Sequence, residues 1–467
     1  MRISRDSFLN HKGALVAILA ISPYFIGIAM QIFFANKLSV EQVGIFAAMW
    51  IFMTMVLVFT NWNGDKYIIS KKNIDNKSID ETFTFELIFS ILLYLVLLFF
   101  FRDSIDNFLR IETSNLFWLG IFFISIYYPL VRTKALLEKK LHYISAYSPA
   151  FLANIFASII GIIFFVKGYG LWSMVIWKIS VYVIEFLILY FIVVHKPKVN
   201  LNFKKTKNII GYCWPIFFGG CISFMGTNID KFLITILLDE RELGIYWLAF
   251  SLSHMLIILR ELISKLLLPI LAIQDSDKSK ISIFEKLNAY IQLFGVLSSI
   301  LVTFWIDEVF YFILGEKWMD AVPIFIVLYY AAVFKLIAGA SASLLFSVAR
   351  TRIAFDISII SLFIFAPLMY IGIHFGGLFG ASVSVLVSTI LINIIAFETA
   401  VKGFASKGYL SYYAYVLINI FFLYLLVFAF NLEILTVTSK LTYSALAIIF
   451  AFIMLPLNNV YKKIIST

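Results

Sequence analysis

Long apolar runs, separated by short charged or glycine-, proline- and asparagine-containing connections, constrain the fold of this chain more than any other feature. Of the 467 residues, 62% are hydrophobic and 14% are charged, whereas soluble domains contain roughly 45–50% apolar residues. A spanning helix needs about 20 mostly apolar residues. Fourteen runs meet this requirement, at 14–35, 43–61, 82–101, 115–136, 147–166, 170–194, 209–236, 244–271, 288–314, 323–347, 354–375, 378–397, 411–430 and 441–458. The sequence therefore predicts an all-α polytopic membrane protein.

The distribution of lysine and arginine predicts which side of the membrane each connection faces. With a cytoplasmic N-terminus, 26 of the 37 basic residues fall on cytoplasmic segments or at the cytoplasmic ends of spans, seven on outer loops and four deeper inside spans. This excess follows the positive-inside rule, by which cytoplasmic loops are rich in lysine and arginine. It also accounts for most of the net charge of +10 without a nucleic-acid partner. Because the number of spans is even, we expect both termini in the cytoplasm.

Two sequence matches indicate an internal repeat. Residues 37–55 align without gaps on residues 237–255, and the identities include Gly44 with Gly244. The tripeptide GLW that begins at Gly170 matches GLF at Gly377, at nearly the same offset. Corresponding spans start on the same side of the membrane, so the repeat is parallel. The predicted organisation is an N-terminal six-helix bundle over 1–194, a basic cytoplasmic linker over 195–208, a C-terminal six-helix bundle over 209–400 and an accessory helix pair over 401–467.

The start of the second half carries a family resemblance. It contains a glycine and a proline followed by an Asn-Ile-Asp triplet and a Leu-Gly-Ile-Tyr stretch, at Gly211, Pro215, 228–230 and 243–246. This pattern resembles the oligosaccharide flippases (O-antigen and polysaccharide repeat-unit flippases) of the multidrug/oligosaccharidyl-lipid/polysaccharide exporter superfamily. Other pieces similar to the family follow in the expected order, at 38–46, 170–172, 314–318 and 377–380.

The resemblance implies two pseudo-symmetric six-helix bundles around a central cavity, plus two C-terminal helices, in the bacterial plasma membrane. The implied activity is translocation of a polyprenyl-diphosphate-linked oligosaccharide by alternating access. Implied partners are this cargo, membrane lipids, Na+ or H+ as a coupling ion, and the polysaccharide polymerase and chain-length machinery. A cation-coupled multidrug exporter of the same superfamily is the alternative, although such exporters usually stop at twelve spans.

Four basic residues inside predicted spans are candidates for binding an anionic cargo. A charge at the centre of a spanning helix costs about 2.5–3.5 kcal/mol on insertion scales, so such residues tend to face a cavity or a partner. The diphosphate of the cargo would be their counterion. The alternative is an ion pair that only fastens helices, or snorkelling towards the membrane surface. The four residues are Lys178, Lys231, Arg260 and Lys335.

Polar residues near these cations complete the predicted site. Asp230 is a candidate for coupling-ion binding, with an Asp–Lys lock between helices as the alternative. In the repeat alignment, Gln31 and Asn61 stand where the second half has charged residues, so we expect a cavity that is asymmetric in charge. Lys66 follows the second span, where members of the resembled family often have arginine.

No pattern in the sequence points to an enzyme, a cofactor or a metal. The five histidines have no ligand spacing, and phosphate-loop, CxxC, nucleophile-elbow and HExxH motifs are absent from the sequence. A glycosyltransferase or polymerase would need a long outer loop, and the longest predicted one covers only 102–114. Cys213 and Cys221 are expected to be packing residues. Interfacial anchoring is predicted for Trp50, Trp62, Trp172, Trp305 and Trp318.

Overall fold

A computed structural model describes most of the chain, and the fold and contacts are those of the described residues. They are 11–71, 74–110, 114–193, 195–200, 202–274, 276–347, 351–401, 416–419, 421 and 437–454. The chain divides into two compact units, Met1–Gly244 and Ile245–Thr467. These two units do not test the predicted division into two bundles, a linker and an accessory helix pair, which stays a prediction.

The described part of the first unit is helical. Among its long helices, α8 packs against both α1 and α9, and α2 packs against α6 and α10. The helices are α1 (His11–Lys37), α2 (Val40–Thr60), α3 (Gly64–Ser70), α4 (Asn76–Phe100), α5 (Arg102–Leu109), α6 (Asn115–Val131), α7 (Lys134–Lys139), α8 (Tyr143–Val166), α9 (Leu171–Ile192), α10 (Phe203–Leu237) and the first turn of α11 (Glu240–Ser253).

The second unit holds the rest of α11 and the helices that follow it. Within this unit α14 packs against α12, α13 and α15. The core of the unit contains the buried rings of Phe304, Phe310, Trp318 and Phe334. The helices are α12 (Met255–Ala272), α13 (Asp277–Leu314), α14 (Ala321–Ser347), α15 (Thr351–Val401) and α16 (Val437–Met454), with a short 3-10 turn at Glu316–Trp318.

The helices confirm an all-α polytopic membrane protein. Ten of them in the described ranges are long and apolar enough to cross a membrane, and Ala321–Ile337 and Lys440–Ala451 are shorter apolar helical stretches. One of the ten, Ile359–Ala396, is interrupted by a non-helical backbone at Gly377, where the sequence predicts a connection between two spans. The predicted span 411–430 lies almost entirely outside the described residues.

Side-chain caps fix where several spans begin. Ser39 forms a capping box with Gln42 at the start of α2, and this arrangement satisfies two backbone N–H groups of the first turn. Asp75, Ser114 and Ser276 accept a hydrogen bond from the backbone three residues later, at the starts of α4, α6 and α13. A cap of this kind stabilises a helix by about 1 kcal/mol, so the connections between spans are encoded locally.

Glycines at equivalent repeat positions allow the same tight geometry in both halves. Gly170 precedes α9 with φ 51° and ψ −124°, and Gly377 interrupts α15 with φ 54° and ψ −137°. Only glycine adopts this region readily. Gly44 and Gly244 also lie against each other, because a β-carbon on Gly44 would collide with the carbonyl oxygen of Glu240 and one on Gly244 with that of Val40. Of the aligned pairs, Gly170 and Gly377 share a backbone conformation, and Gly44 and Gly244 share a close contact.

Candidate functional site

Lys178 lies between two indole rings in the first unit. It sits in the third turn of α9, and its Nζ atom is 4.2 Å from the ring centroid of Trp177 and 4.6 Å from that of Trp50. Both contacts are within the range of cation–π attraction. Over the described ranges, no carboxylate lies within salt-bridge distance of Lys178. The half-buried ammonium group is therefore held by aromatic faces.

Lys231 and Asp230 form an ion pair within α10. The Nζ atom of Lys231 is 3.2 Å from Oδ1 and 3.3 Å from Oδ2 of Asp230, and it donates to the carbonyl oxygen of Thr227 at 3.3 Å. Lys231 is 5% exposed and Asp230 is 1% exposed. Pairing offsets part of the cost of burying the two charges. Their proposed roles in cargo and ion binding stay predictions.

The polar candidates of the first half, Gln31 and Asn61, lie on different helices. Gln31 is three residues before Phe34, whose ring is 5.8 Å from Trp177, so Gln31 lies on a turn of α1 beside the start of α9. Its Oε1 atom is buried without a hydrogen bond from the described residues. Asn61 instead ends α2, where its Oδ1 accepts from the backbone of Asn63 at 3.0 Å. Lys66 follows on α3 and is exposed.

Two candidate cations lie in the second unit. Arg260 is half-buried on α12, next to the exposed Glu261. Lys335 is half-buried on α14, and its Nζ atom is 6.0 Å from the ring centroid of Phe250. The Phe250 ring stacks on His254, with centroids 3.5 Å apart. The structure thus places Lys335 beside α11.

A buried network of charged residues in the first unit was not predicted from the sequence. Arg132, at the end of α6, donates from Nε to Glu86 at 2.6 Å and from Nη1 to Asp65 at 2.7 Å. Arg132 is 3% exposed and the Glu86 side chain is fully buried. Glu86 also accepts from the backbone of Gly64 at 3.1 Å. The prediction missed this network because it considered cations inside spans and passed over carboxylates.

A second buried carboxylate lies on α9. Glu185 accepts from the hydroxyl of Tyr127 at 2.8 Å and from Nζ of Lys134 at 3.2 Å. The signal in the sequence was again a carboxylate inside a predicted span. Together with the Arg132 network, it links α3, α4, α6, α7 and α9 by polar contacts.

The predicted linker, which belongs to the first unit, contacts α4 through the His195 side chain and through the backbone of Lys198 and Asn200. His195 lies 2.8 Å from Oδ1 of Asp80, and the backbone N–H of Lys198 donates to the same oxygen at 3.0 Å. The N–H of Asn200 donates to the hydroxyl of Thr84 at 2.8 Å. These bonds anchor residues 195–200 on the first turns of α4.

Trp50 differs from its predicted role as an anchor at the membrane interface. It is the eleventh of the 21 residues of α2, so it lies in the middle of a span beside Lys178. Cys213 is buried against Tyr67 and Ile209, whereas Cys221 is half-buried, and its packing role stays a prediction. Among the described residues, no group of three or more histidine, cysteine, aspartate or glutamate side chains could hold a metal ion.

The spans and the charges within them define a helical, multi-pass membrane protein. The sequence profile of the polysaccharide biosynthesis protein family matches residues 34–323. This match covers more than half of the chain, and the chain belongs to this family. The match includes the Gly211, Pro215 and 228–230 motif and confirms the resemblance inferred from it.

Two curated relatives match part of the chain. It is 24% identical over 195 residues to the lipopolysaccharide biosynthesis protein WzxC of Escherichia coli K12. The aligned residues are 41% of this chain and 39% of that protein. It is 23% identical over 207 residues to an uncharacterized membrane protein in the cps region of Klebsiella pneumoniae, which covers 43% and 41%. The chain thus spans about two fifths of the length of the curated relatives it matches.

Solved structures share the fold over most of the chain. The lipid II flippase MurJ, in an inward closed conformation, matches with a TM-score of 0.72 and 16% identity, over 94% of this chain and 97% of that one. A multidrug resistance transporter of the MATE family, facing inward, matches with a TM-score of 0.66 and 13% identity, over 84% and 99%. At these identities the likeness concerns the fold alone.

Proposed function

We propose that this protein is a flippase that moves a polyprenyl-diphosphate-linked oligosaccharide from the cytoplasmic to the outer leaflet of the bacterial plasma membrane. The observation that carries the proposal is Lys178, a half-buried cation in a spanning helix with no carboxylate at salt-bridge distance among the described residues, in a member of the polysaccharide biosynthesis protein family. The anionic head group of such a cargo supplies the counterion that this cation needs. The similarity to WzxC and the shared fold with MurJ support this reading.

In this proposal the intramembrane cations lower the cost of moving the head group through the membrane. Lysine attracts the diphosphate as a point charge, and Arg260 can bind two of its oxygens at once. The prenyl tail stays in lipid while the head group crosses, and access alternates between the two sides. No covalent bond is made or broken, so the protein acts as a transporter and not as an enzyme.

Ion binding at Asp230 would connect transport to an ion gradient. A proton or Na+ that arrives at this carboxylate competes with Lys231, whose Nζ atom is 3.2 Å away. Loss of the pair releases the ammonium group for the diphosphate. The coupling ion thereby changes the charge offered to the cargo.

A vesicle assay tests the function. The purified full chain is reconstituted in lipid vesicles with a fluorescent polyprenyl-diphosphate oligosaccharide, under an imposed proton or sodium gradient. We expect translocation faster than in empty vesicles and dependent on the gradient. Equal rates in the two kinds of vesicle, under either gradient, would exclude the flippase.

A multidrug exporter is the second candidate, because a MATE transporter shares the fold with a TM-score of 0.66. The polysaccharide family match and the apolar helix Val437–Met454 near the C-terminus argue against it. Cells that express the chain should therefore gain no resistance to cationic dyes. Gradient-dependent efflux of such dyes from vesicles, without movement of the lipid-linked glycan, would favour the exporter.

The proposed topology has both termini in the cytoplasm. Single cysteines at Lys196 and Asp103, which are both exposed, are introduced into a chain without Cys213 and Cys221. An impermeant maleimide applied to intact cells should label position 103, because the positive-inside rule places the basic segment around Lys196 in the cytoplasm. Position 196 should react only after permeabilisation. Labelling of both positions from one side would contradict the topology.

In the cell, the proposed partners act before and after the transfer. Glycosyltransferases on the cytoplasmic side must build the lipid-linked repeat unit, and a polymerase with its chain-length machinery must consume it on the outer side. Co-purification with such a polymerase from native membranes would support a physical complex.

A further inference from the structure

We propose that a column of aromatic side chains in the first unit binds the sugar rings of the cargo, with Lys178 on an acidic group of the same sugars. This inference rests on the proposed function and deepens it, because it assigns a place for the glycan as well as for the diphosphate. The aromatic column consists of Phe46 and Trp50 on α2, Tyr182 on α9, and Tyr127 and Tyr128 on α6.

The rings of the aromatic column follow one another without a gap. The centroid of Trp50 is 6.4 Å from that of Phe46, with an interplanar angle of 10°, and 6.5 Å from that of Tyr182, with an angle of 21°. Tyr182 meets Tyr127 edge to face at 4.7 Å, and Tyr127 meets Tyr128 at 5.3 Å. Nearly parallel rings on α2 and α9 therefore lead into a cluster of tyrosines on α6.

Helical spacing aligns these side chains. Phe46 and Trp50 are four residues apart on α2, and Lys178 and Tyr182 are four residues apart on α9. Residues at this spacing lie on the same face of a helix, one above the other. Phe46 is fully buried, so it supports the Trp50 ring from within the protein and does not itself contact the sugars. The other rings and Lys178 are half-buried, so part of their surface is accessible.

The chemistry of the column matches a sugar ring. An aromatic face packs against the C–H groups of a pyranose, as rings pack against apolar surfaces generally, while tyrosine hydroxyls can bond to sugar hydroxyls. Tyr127 already donates to Glu185 at 2.8 Å, so its oxygen can still accept. One end of the column thus offers polar groups and the other offers a cation beside an indole face.

Lys178 differs from three other buried or half-buried cations of the first unit. Arg132 is paired with Glu86, Lys134 with Glu185, and Lys231 with Asp230. Lys178 has only aromatic neighbours at interaction distance in the described part of the chain. An ammonium group in this setting favours an anionic ligand, and its place beside Trp50 puts that anion next to a stacked ring. An acidic sugar has both a ring that can stack on Trp50 and an anionic group that can meet Lys178.

Glycan export in cells gives the first test, with each variant compared at equal protein abundance. Trp50→Leu should lower surface glycan per molecule about tenfold, because it removes the stacking face, and Trp50→Tyr should keep about half of the export. Tyr94→Leu is the matched control. Tyr94 is a half-buried ring on α4 that packs 5.3 Å from Phe122, outside the aromatic column. Export by Trp50→Leu equal to that of the control would overturn the proposal.

Vesicle translocation separates sugar recognition from diphosphate recognition. One probe is the prenyl diphosphate that carries the repeat unit of the host, and the other is the bare prenyl diphosphate. Trp50→Leu should slow the first about tenfold relative to the unmodified protein and the second by less than about twofold. Equal slowing of both probes would assign the column to the diphosphate and overturn the proposal.

The same experiment tests the flippase function and the role of the aromatic column separately. The rate of the unmodified protein against empty vesicles decides the flippase function, and the ratio of variant to unmodified protein decides the role of the column. Lys178→Gln should slow the translocation of a repeat unit that contains an acidic sugar more than the translocation of a neutral repeat unit. A repeat unit without any acidic group, determined by mass spectrometry, would overturn the role given to Lys178.

Discussion

Replacing Arg132 with alanine should remove most of the folded protein from the membrane. Its guanidinium group is the partner of Glu86, whose side chain is fully buried, and of Asp65. Removal of one member of a buried ion pair typically costs about 3–5 kcal/mol, because the remaining charge is stranded. A cost of this size is a large part of the stability of a folded protein. Fluorescence-detected size-exclusion chromatography of the tagged protein, with a thermal ramp in detergent, measures the loss.

Two further variants identify the cause of this loss. Lys140, exposed at the end of α7, is the matched control, and Lys140→Ala should leave abundance and melting temperature unchanged. Arg132→Met combined with Glu86→Gln removes both charges and should recover much of the abundance. Normal folding of Arg132→Ala alone, or no recovery in the double variant, would show that the ion pair does not stabilise the fold.

Lys335→Ala and Arg260→Ala should each abolish surface glycan, or lower it by about tenfold or more, while the protein remains abundant. Both residues are half-buried in the second unit, and the sequence has no carboxylate within one helical turn of Lys335. If they bind the diphosphate, the loss concerns transport and not folding. Lys335→Arg and Arg260→Lys should keep part of the activity. A mobile diphosphate depends more on the positive charge than on the two-pronged hydrogen bonding of a guanidinium group.

Protein level and glycan export must be measured in the same cells. Lys286 is exposed on α13, and Lys286→Ala controls for the loss of one positive charge in this unit. A structural lock predicts a different pattern, in which the alanine variants are degraded because a buried carboxylate loses its partner. Full export at normal abundance would exclude both roles for the residue concerned.

The fold could be predicted from the sequence to the extent that it is encoded locally. Apolar runs determine spans because each helix must satisfy its own backbone hydrogen bonds in lipid. The caps at Ser39 and Ser114 lie close to the predicted starts at 43 and 115, whereas Asp75 and Ser276 begin their helices well before the predicted starts at 82 and 288. The equivalence of Gly170 and Gly377 was also visible, since their conformation requires glycine. The sidedness of the loops stays a prediction.

The candidate site could be predicted only in part. The four intramembrane cations were evident, because charged residues are rare in spans. Their partners were not, since the contacts of Arg132 with Glu86 and of Lys178 with Trp50 join residues that are far apart in sequence. Which cation is paired and which faces aromatic rings depends on how α2, α4, α6 and α9 pack. Tertiary packing also moved Trp50 from an assumed membrane anchor to a neighbour of Lys178.

Gly170 and Gly377 have nearly the same backbone geometry, as two copies of one duplicated pair of helices would. An ancestral unit with an even number of spans begins and ends on the same side of the membrane. Two copies of its gene could therefore fuse in tandem without inverting either product, and the ancestor would have worked as a symmetric dimer. After fusion each copy could diverge separately. Such a divergence would leave Gln31 in one half and Lys231 in the other at aligned positions.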